Sequence, residues 1–136
     1  MNLLNGAEFR RLETAILAAG QRQQVISNNL ANVDTPHFKR SDVLFEELLE
    51  EVIKEGANPI VGRRTESRHL PIGYDVAVPQ PLIVTDETSV MNNNLNNVDM
   101  DREASLMAKN QLLYNAYVQQ VNHEIRMLRV GIDGRV

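Results

Sequence analysis

The sequence predicts a mainly α protein. Two long terminal helices pair as an antiparallel coiled coil, and between them lies a small irregular, short-strand central segment with one short helix. Three observations lead to this reading. Apolar residues recur at alternating three- and four-residue steps over residues 9–33 and again over 100–132, the spacing of helices that pack along a seam. Residues 57–90 are broken by Pro59, Gly62, Pro71, Gly73, Pro79 and Pro81, so neither long helix could run there. Aromatic residues make up 4% of the chain, with no Trp, so burial must come largely from aliphatic helix faces rather than from large rings.

The chain divides into an N-terminal helix segment, 1–34, a central segment, 35–98, and a C-terminal helix segment, 99–136. The first seam runs through Phe9, Leu12, Ile16, Ala19, Gln23, Ile26, Leu30 and Val33. Pro36 pushes Thr35 out of helical geometry, so this helix must end near Val33. The second seam runs through Met100, Ala104, Met107, Gln111, Tyr114, Val118, Val121, Ile125, Leu128 and Ile132. At about 1.5 Å per residue the two helices are about 40 and 50 Å long. In the centre, Ser41 or Asp42 can cap a short helix with Phe45, Leu48, Leu49, Val52 and Ile53 on one face. Gly56 suits its C-terminal cap, and Pro59 lies just beyond. Tyr74, Val76 and Val78 alternate, and Leu82-Ile83-Val84 is a short apolar run, which together predict one or two short strands.

One phrase occurs almost twice. Residues 28–34 read NNLANVD and residues 93–99 read NNLNNVD. The first copy closes a helix, because Asn tolerates the left-handed conformation of a helix end. The second opens one, with Asp99 as the N-cap and Asp101 and Glu103 beside the helix's positive end. If the helices are antiparallel, the two phrases become neighbours. Counting along both seams from that end places Gln23 and Gln111 at one level. A facing pair there would satisfy both amides and fix the register.

Composition excludes several classes. The net charge of −4 argues against nucleic acid as the main partner. Without cysteine there is no disulfide, thiol catalysis or cysteine-ligated metal. No apolar run approaches the ~20 residues that span a bilayer. No secretory signal peptide is evident at the N-terminus. His37, His69 and His123 lack metal-ligand spacing and read as solvated or structural. Asn92, Asn94, Asn96 and Asp99 lack the Gly and closing Glu of a calcium loop. Glu46, Glu47, Glu50, Glu51 and Glu55 form the wet face of the short helix, and Arg63-Arg64 is a small solvated basic spot. No nucleophile elbow or glycine-rich phosphate loop is present. These features predict no enzyme, no cofactor, no metal site and no small-molecule substrate.

The stretch ISNNLANVDTPHFKR, residues 26–40, resembles the ANxxTPGY signature of the flagellar axial protein family (rod, hook and hook-associated subunits). Ala31, Asn32, Thr35, Pro36, Phe38 and Lys39 match it in place or in kind. The run NNVDMDREASLMAKNQLLYNAYVQQV, residues 96–121, is similar to the family's short proximal rod members, and the chain's short length fits them. His37 stands where the signature has Gly, and a positive φ there would strain it. Phe38 stands for the usual Tyr.

The resemblance implies a structural subunit of the flagellar basal-body rod. It would leave the cytoplasm through the flagellar export apparatus without a cleaved signal. It would pack against copies of itself, other rod subunits and proteins of the membrane-ring and export-gate junction. The assembly contacts would fall on Leu12, Ile16, Ile26, Leu30, Tyr114, Val118, Val121, Ile125 and Leu128. Leu106, Leu112, Leu113 and Tyr117 lie off the seam and need a third partner, either the central segment or a neighbouring subunit. Two other readings fit the same helices: a sibling axial subunit, and a helical export chaperone or adaptor.

Overall fold

The computed structural model describes residues 7–55, 78–91 and 93–134. In chain order the elements are α1 (Ala7–Ala31), β1 (Ser41–Leu44), α2 (Glu46–Glu55), β2 (Leu82–Thr85) and α3 (Met100–Asp133). The chain is mainly helical, with the two long helices packed together and a two-stranded sheet beside them. Gly56, Pro59 and the alternation at Tyr74 and Val76 lie outside the described residues.

α3 is 34 residues long and begins as its sequence demands. Asp99 is extended, at φ −105°, and its carboxylate accepts from the backbone N–H groups of Asp101 (3.0 Å) and Arg102 (3.2 Å). These are donors that the helix itself leaves unpaired. Asp101 and Glu103 add negative charge at the positive helix end. At the other end Gly134 turns left-handed at φ 62° and donates its N–H to Val130 O, which closes the last turn.

α1 stops at Ala31, two residues before the expected Val33. The chain then tightens into successive turns: Asn32 N donates to Asn29 O, and Thr35 N to Asn32 O, both at 3.1 Å. Pro36 prevents these turns from continuing the helix. His37 then adopts φ 62°. The position does require the left-handed region, and a histidine holds it where glycine would be unstrained.

Ser41 and Asp42 do not cap α2. They lie in β1, which pairs antiparallel with β2 in the register Ser41↔Thr85, Asp42↔Val84, Val43↔Ile83 and Leu44↔Leu82. Phe45 holds the N-cap position just before the short helix, and its carbonyl accepts the Leu49 N–H at 2.8 Å. Phe45 is buried, so the strand-to-helix corner drives an aromatic ring into the core. There it meets Ala15 and Ala18 of α1, with Leu49 and Tyr117 packed around it. The small alanines leave room for the ring. Tyr117 thus finds its third partner in the central segment. Leu112 remains exposed.

Candidate functional site

The end of α1 and the start of α3 meet in a buried polar junction. The two Asn-rich phrases lie side by side there. Asn96 is fully buried, and its side-chain N–H₂ donates to the carbonyls of Asn32 (2.9 Å), Val33 (3.0 Å) and Thr35 (2.8 Å). One amide therefore collects the carbonyls freed where α1 ends. Its oxygen accepts from Val98 N at 2.7 Å. His37 N in turn donates to Asn94 O at 3.0 Å. Leu95, at φ 64°, turns the second phrase into position.

Glu103 anchors the junction. Its side chain is fully buried and accepts from Arg40 Nε at 3.1 Å and from Asn29 Nδ2 at 3.1 Å. Asn29 also clamps Ser41, donating to its carbonyl (2.8 Å) and accepting from its N–H (3.1 Å). Arg40 bonds Asp42 as well, at 3.2 Å. Burial works against the Arg40 charge, but the hydrogen bonds and negative charges of Glu103 and Asp42 outweigh it and hold its pKa above the usual value. Asn97 reaches the other way. Its oxygen accepts from Arg40 N (2.6 Å), and its N–H₂ donates to Asp86 O (2.8 Å) and Ser89 Oγ (3.0 Å). Asp86 caps its own loop by accepting from the side chain and backbone of Ser89, then of Thr88. This holds its carboxyl well below the usual carboxylate range. Lys39 Nζ donates to Ser89 O at 2.8 Å. The junction thus ties α1, β1, the loop after β2 and α3 together.

Further along the pair, Asn110 is the polar residue at the seam. It is buried, and its N–H₂ donates to Ala19 O (2.9 Å) and Gln23 Oε1 (3.1 Å). The expected Gln23–Gln111 pair is therefore corrected by one residue. Gln23 sits at the expected level, but its partner is Asn110, and Gln111 is exposed and reaches Asn115 at 3.5 Å. The same offset runs along α3. Glu103, Leu106, Asn110, Leu113 and Tyr117 turn inward, whereas Ala104, Gln111 and Tyr114 are exposed and Val118, Val121 and Leu128 are half-buried. On α1, Ala19 and Ile26 are buried, and Leu12, Ile16, Gln23 and Leu30 are half-buried, as is Val33 in the turn just beyond. Of the signature residues, Asn32, Phe38 and Lys39 are half-buried, and Ala31, Thr35 and Pro36 are exposed.

A second ion pair closes the corner between α1 and α2. Both guanidinium ends of Arg22 bond the Glu46 carboxylate, one at 2.7 Å, and Nη2 also reaches Val43 O at 3.1 Å. Burial raises the Glu46 pKa, but the Arg22 hydrogen bond and charge reverse this and leave it below the usual value. This corner borders a groove of about 500 Å³ between α1, α3 and the β1–α2 turn.

Outside these features α3 carries unpartnered apolar surface: Leu112, Ile125, Met127 and Ile132 are all exposed. Among the described residues no group of His, Asp or Glu is placed to hold a metal ion, and no helix is long and apolar enough to cross a membrane.

Sequence reasoning did not single out Asn29, Arg40, Glu103 and Asn110 as junction and seam residues. The doubled Asn in both phrases was the available signal. It carried both copies' structural role, one to cap and one to clasp.

The structure is thus a helical pair clasped at one end by two related Asn phrases, with a proline-stopped turn between them. Residues 9–39 match the family described as flagella basal body rod protein. Over nearly its whole length the chain is similar to the flagellar basal body rod protein FlgB of Bacillus subtilis, at 33% identity with 98% of each chain covered. It is 36% identical to FlgB of Borreliella burgdorferi, covering 80% of this chain and 83% of that one. It is 34% identical to FlgB of Salmonella typhimurium, covering 94% of each. The chain belongs to the FlgB family of flagellar basal body rod proteins.

Proposed function

We propose that the chain is a structural subunit of the proximal rod, one piece of the drive shaft that carries motor torque. The observation that supports this most is the contrast along α3. Its first turns are locked into the molecule by a fully buried carboxylate, and its last turns present exposed Ile125, Met127 and Ile132. A shaft needs both. Each subunit must hold its helix pair at a fixed register so that load does not slip. It must also offer apolar surface that only neighbours can cover. The seam positions Leu12, Ile16, Ile26, Leu30, Tyr114, Val118, Val121, Ile125 and Leu128 are core and assembly surface together. The neighbours are copies of the chain, other rod subunits, and proteins at the junction of the membrane ring and export gate. The subunit reaches them through the flagellar export apparatus without a cleaved signal. The fold has no disulfide to break before such passage.

The test is electron microscopy of basal bodies from a strain lacking this one gene. Membrane rings without a rod, restored by the intact gene, are expected. A complete rod, hook and filament in the deletion strain would overturn the proposal and favour an export chaperone or adaptor.

A further inference from the structure

The two outer edges of the small sheet are finished differently. Asp86 N donates to Arg40 O at 3.0 Å, one rung beyond the pair Ser41↔Thr85. Along an antiparallel ladder, backbone groups alternate between facing the partner strand and facing away from it. Asp42 and Leu44 therefore turn theirs toward Val84 and Leu82. Ser41 and Val43 turn theirs away from β2, and Ile83 and Thr85 turn theirs away from β1.

Side chains close the outer edge of β1. Asn29 holds both the N–H and the carbonyl of Ser41. The Val43 N–H donates to Asp42 Oδ1 at 2.8 Å, and its carbonyl accepts from Arg22 Nη2 at 3.1 Å. All four outward groups of β1 are satisfied. The outer edge of β2 is open. Among the described residues, no protein group meets the N–H or the carbonyl of Ile83 or Thr85. Every residue of β2 is exposed. The strand also lacks the charge, proline or bulge that protects a free edge.

An open edge accepts an extended backbone, and the best match to this one is the same strand from a second copy. We infer that two copies pair through β2, antiparallel, about a two-fold axis at Val84. Ile83 of each copy then lies opposite Thr85 of the other. Four outward N–H groups meet four outward carbonyls, and none is left over. Val84 faces Val84 of the second copy at a position without ladder bonds, where side chains come closest. Asp86 falls opposite Leu82 and Glu87 opposite Pro81, so each carboxylate meets an uncharged residue rather than its like. The Asp86 carboxylate is already held by Thr88 and Ser89. The neighbouring registers fit less well. An axis at Ile83 sets Thr85 against Pro81, which has no N–H to give its carbonyl. An axis at Thr85 draws in Glu87, beyond the end of β2. Because both β1 edges are closed, the four-stranded sheet stops at two copies. The contact is the same patch on both chains. It differs from the head-to-tail contacts of a shaft, belongs to the chain outside the rod, and stands apart from the rod-subunit reading.

The chain has no cysteine, so a single introduced one reports its own neighbours. Val84→Cys in the full chain, mildly oxidised, should yield a disulfide-linked dimer. Leu82→Cys should not, because its two copies stand four residues apart along the paired strands, about 14 Å. In sedimentation equilibrium the unmodified chain should form a dimer that dissociates on dilution. Val84→Lys and Val84→Glu should each lose that dimer, and an equimolar mixture of the two should restore it. Ile83→Pro should lose it as well, since that N–H takes no part in the ladder with β1. Val84→Cys stays small and apolar, so its result stands even if a charged variant fails to fold. A chain that is monomeric at every concentration would overturn the inference. So would equal linking through Leu82→Cys, or dimers that persist in both charge variants. Slow amide exchange at Ile83 and Thr85 at every dilution would show the edge filled by its own chain, and would overturn it too.

Discussion

The two ends of α3 are built from similar proportions of polar and apolar residues and meet opposite surroundings. At the start, a carboxylate is fully buried between Arg40 and Asn29, and two neighbouring asparagines are buried with it. At the end, isoleucine and methionine stand in solvent. This is the reverse of simple partition by polarity, and it separates two tasks. Apolar contacts are non-directional and roughly proportional to area, so they tolerate a small slip between surfaces. A buried carboxylate with fixed donors does not, because a one-residue slip would leave charges unpaired in a poorly solvating interior. The junction therefore specifies how the chain folds on itself, and the distal stripe is left for what the chain meets.

The most severe way to break this contrast is to remove Glu103. Glu103→Ala leaves Arg40 buried beside only Asp42 and should destabilise the fold by about 3–5 kcal/mol. The urea midpoint of the helical signal reports it. Asn96→Ala comes next. Three carbonyls lose their common donor, but the surrounding turn is partly open to water, so a loss of about 1–3 kcal/mol is expected by the same measurement. His37→Gly should act in the opposite direction. It relieves a left-handed φ that is unfavourable by about 1–2 kcal/mol for a side chain, offset by the greater freedom of glycine when unfolded. A net gain of a few tenths to about 1 kcal/mol should appear as a higher thermal midpoint.

Ile132→Ser sharpens the contrast from the other side. The residue is exposed, so the isolated chain should change by less than about 0.5 kcal/mol, whereas rods should form poorly or not at all. The smallest effect is acid sensitivity at the Arg22–Glu46 corner. The folded Glu46 pKa lies below its ordinary value. Its contribution is therefore present above about pH 4.3 and is lost as pH falls through the lower folded value. Glu46 is half exposed, so solvent screening keeps the effect small. Glu46→Gln should flatten that part of the stability–pH curve.

Much of the helical frame was legible in the sequence. The three- and four-residue steps located both long helices within about two residues. Pro36 and Asp99 marked the end and the start that face each other. The doubled Asn phrase indicated that these ends would meet. The face of α3 was misjudged by one residue for an identifiable reason. The seam count followed apolar letters, but the inward face carries Glu103 and Asn110, whose burial depends on partners far away in the chain. β1 was missed for a related reason. Ser41 and Asp42 are good helix caps locally, and only pairing with β2, some forty residues later, makes them a strand. Arg40 gave no local sign at all. Its role exists only once α1, β1 and α3 are assembled around it.

The most direct test is hydrogen exchange along α3, in the isolated chain and in assembled rods. The account predicts slow exchange in the isolated chain from Glu103 to Asn110 and fast exchange beyond about Ile125, with the distal amides becoming slow on assembly. Uniform protection along the whole helix in the isolated chain would contradict it, and so would fast exchange around Glu103.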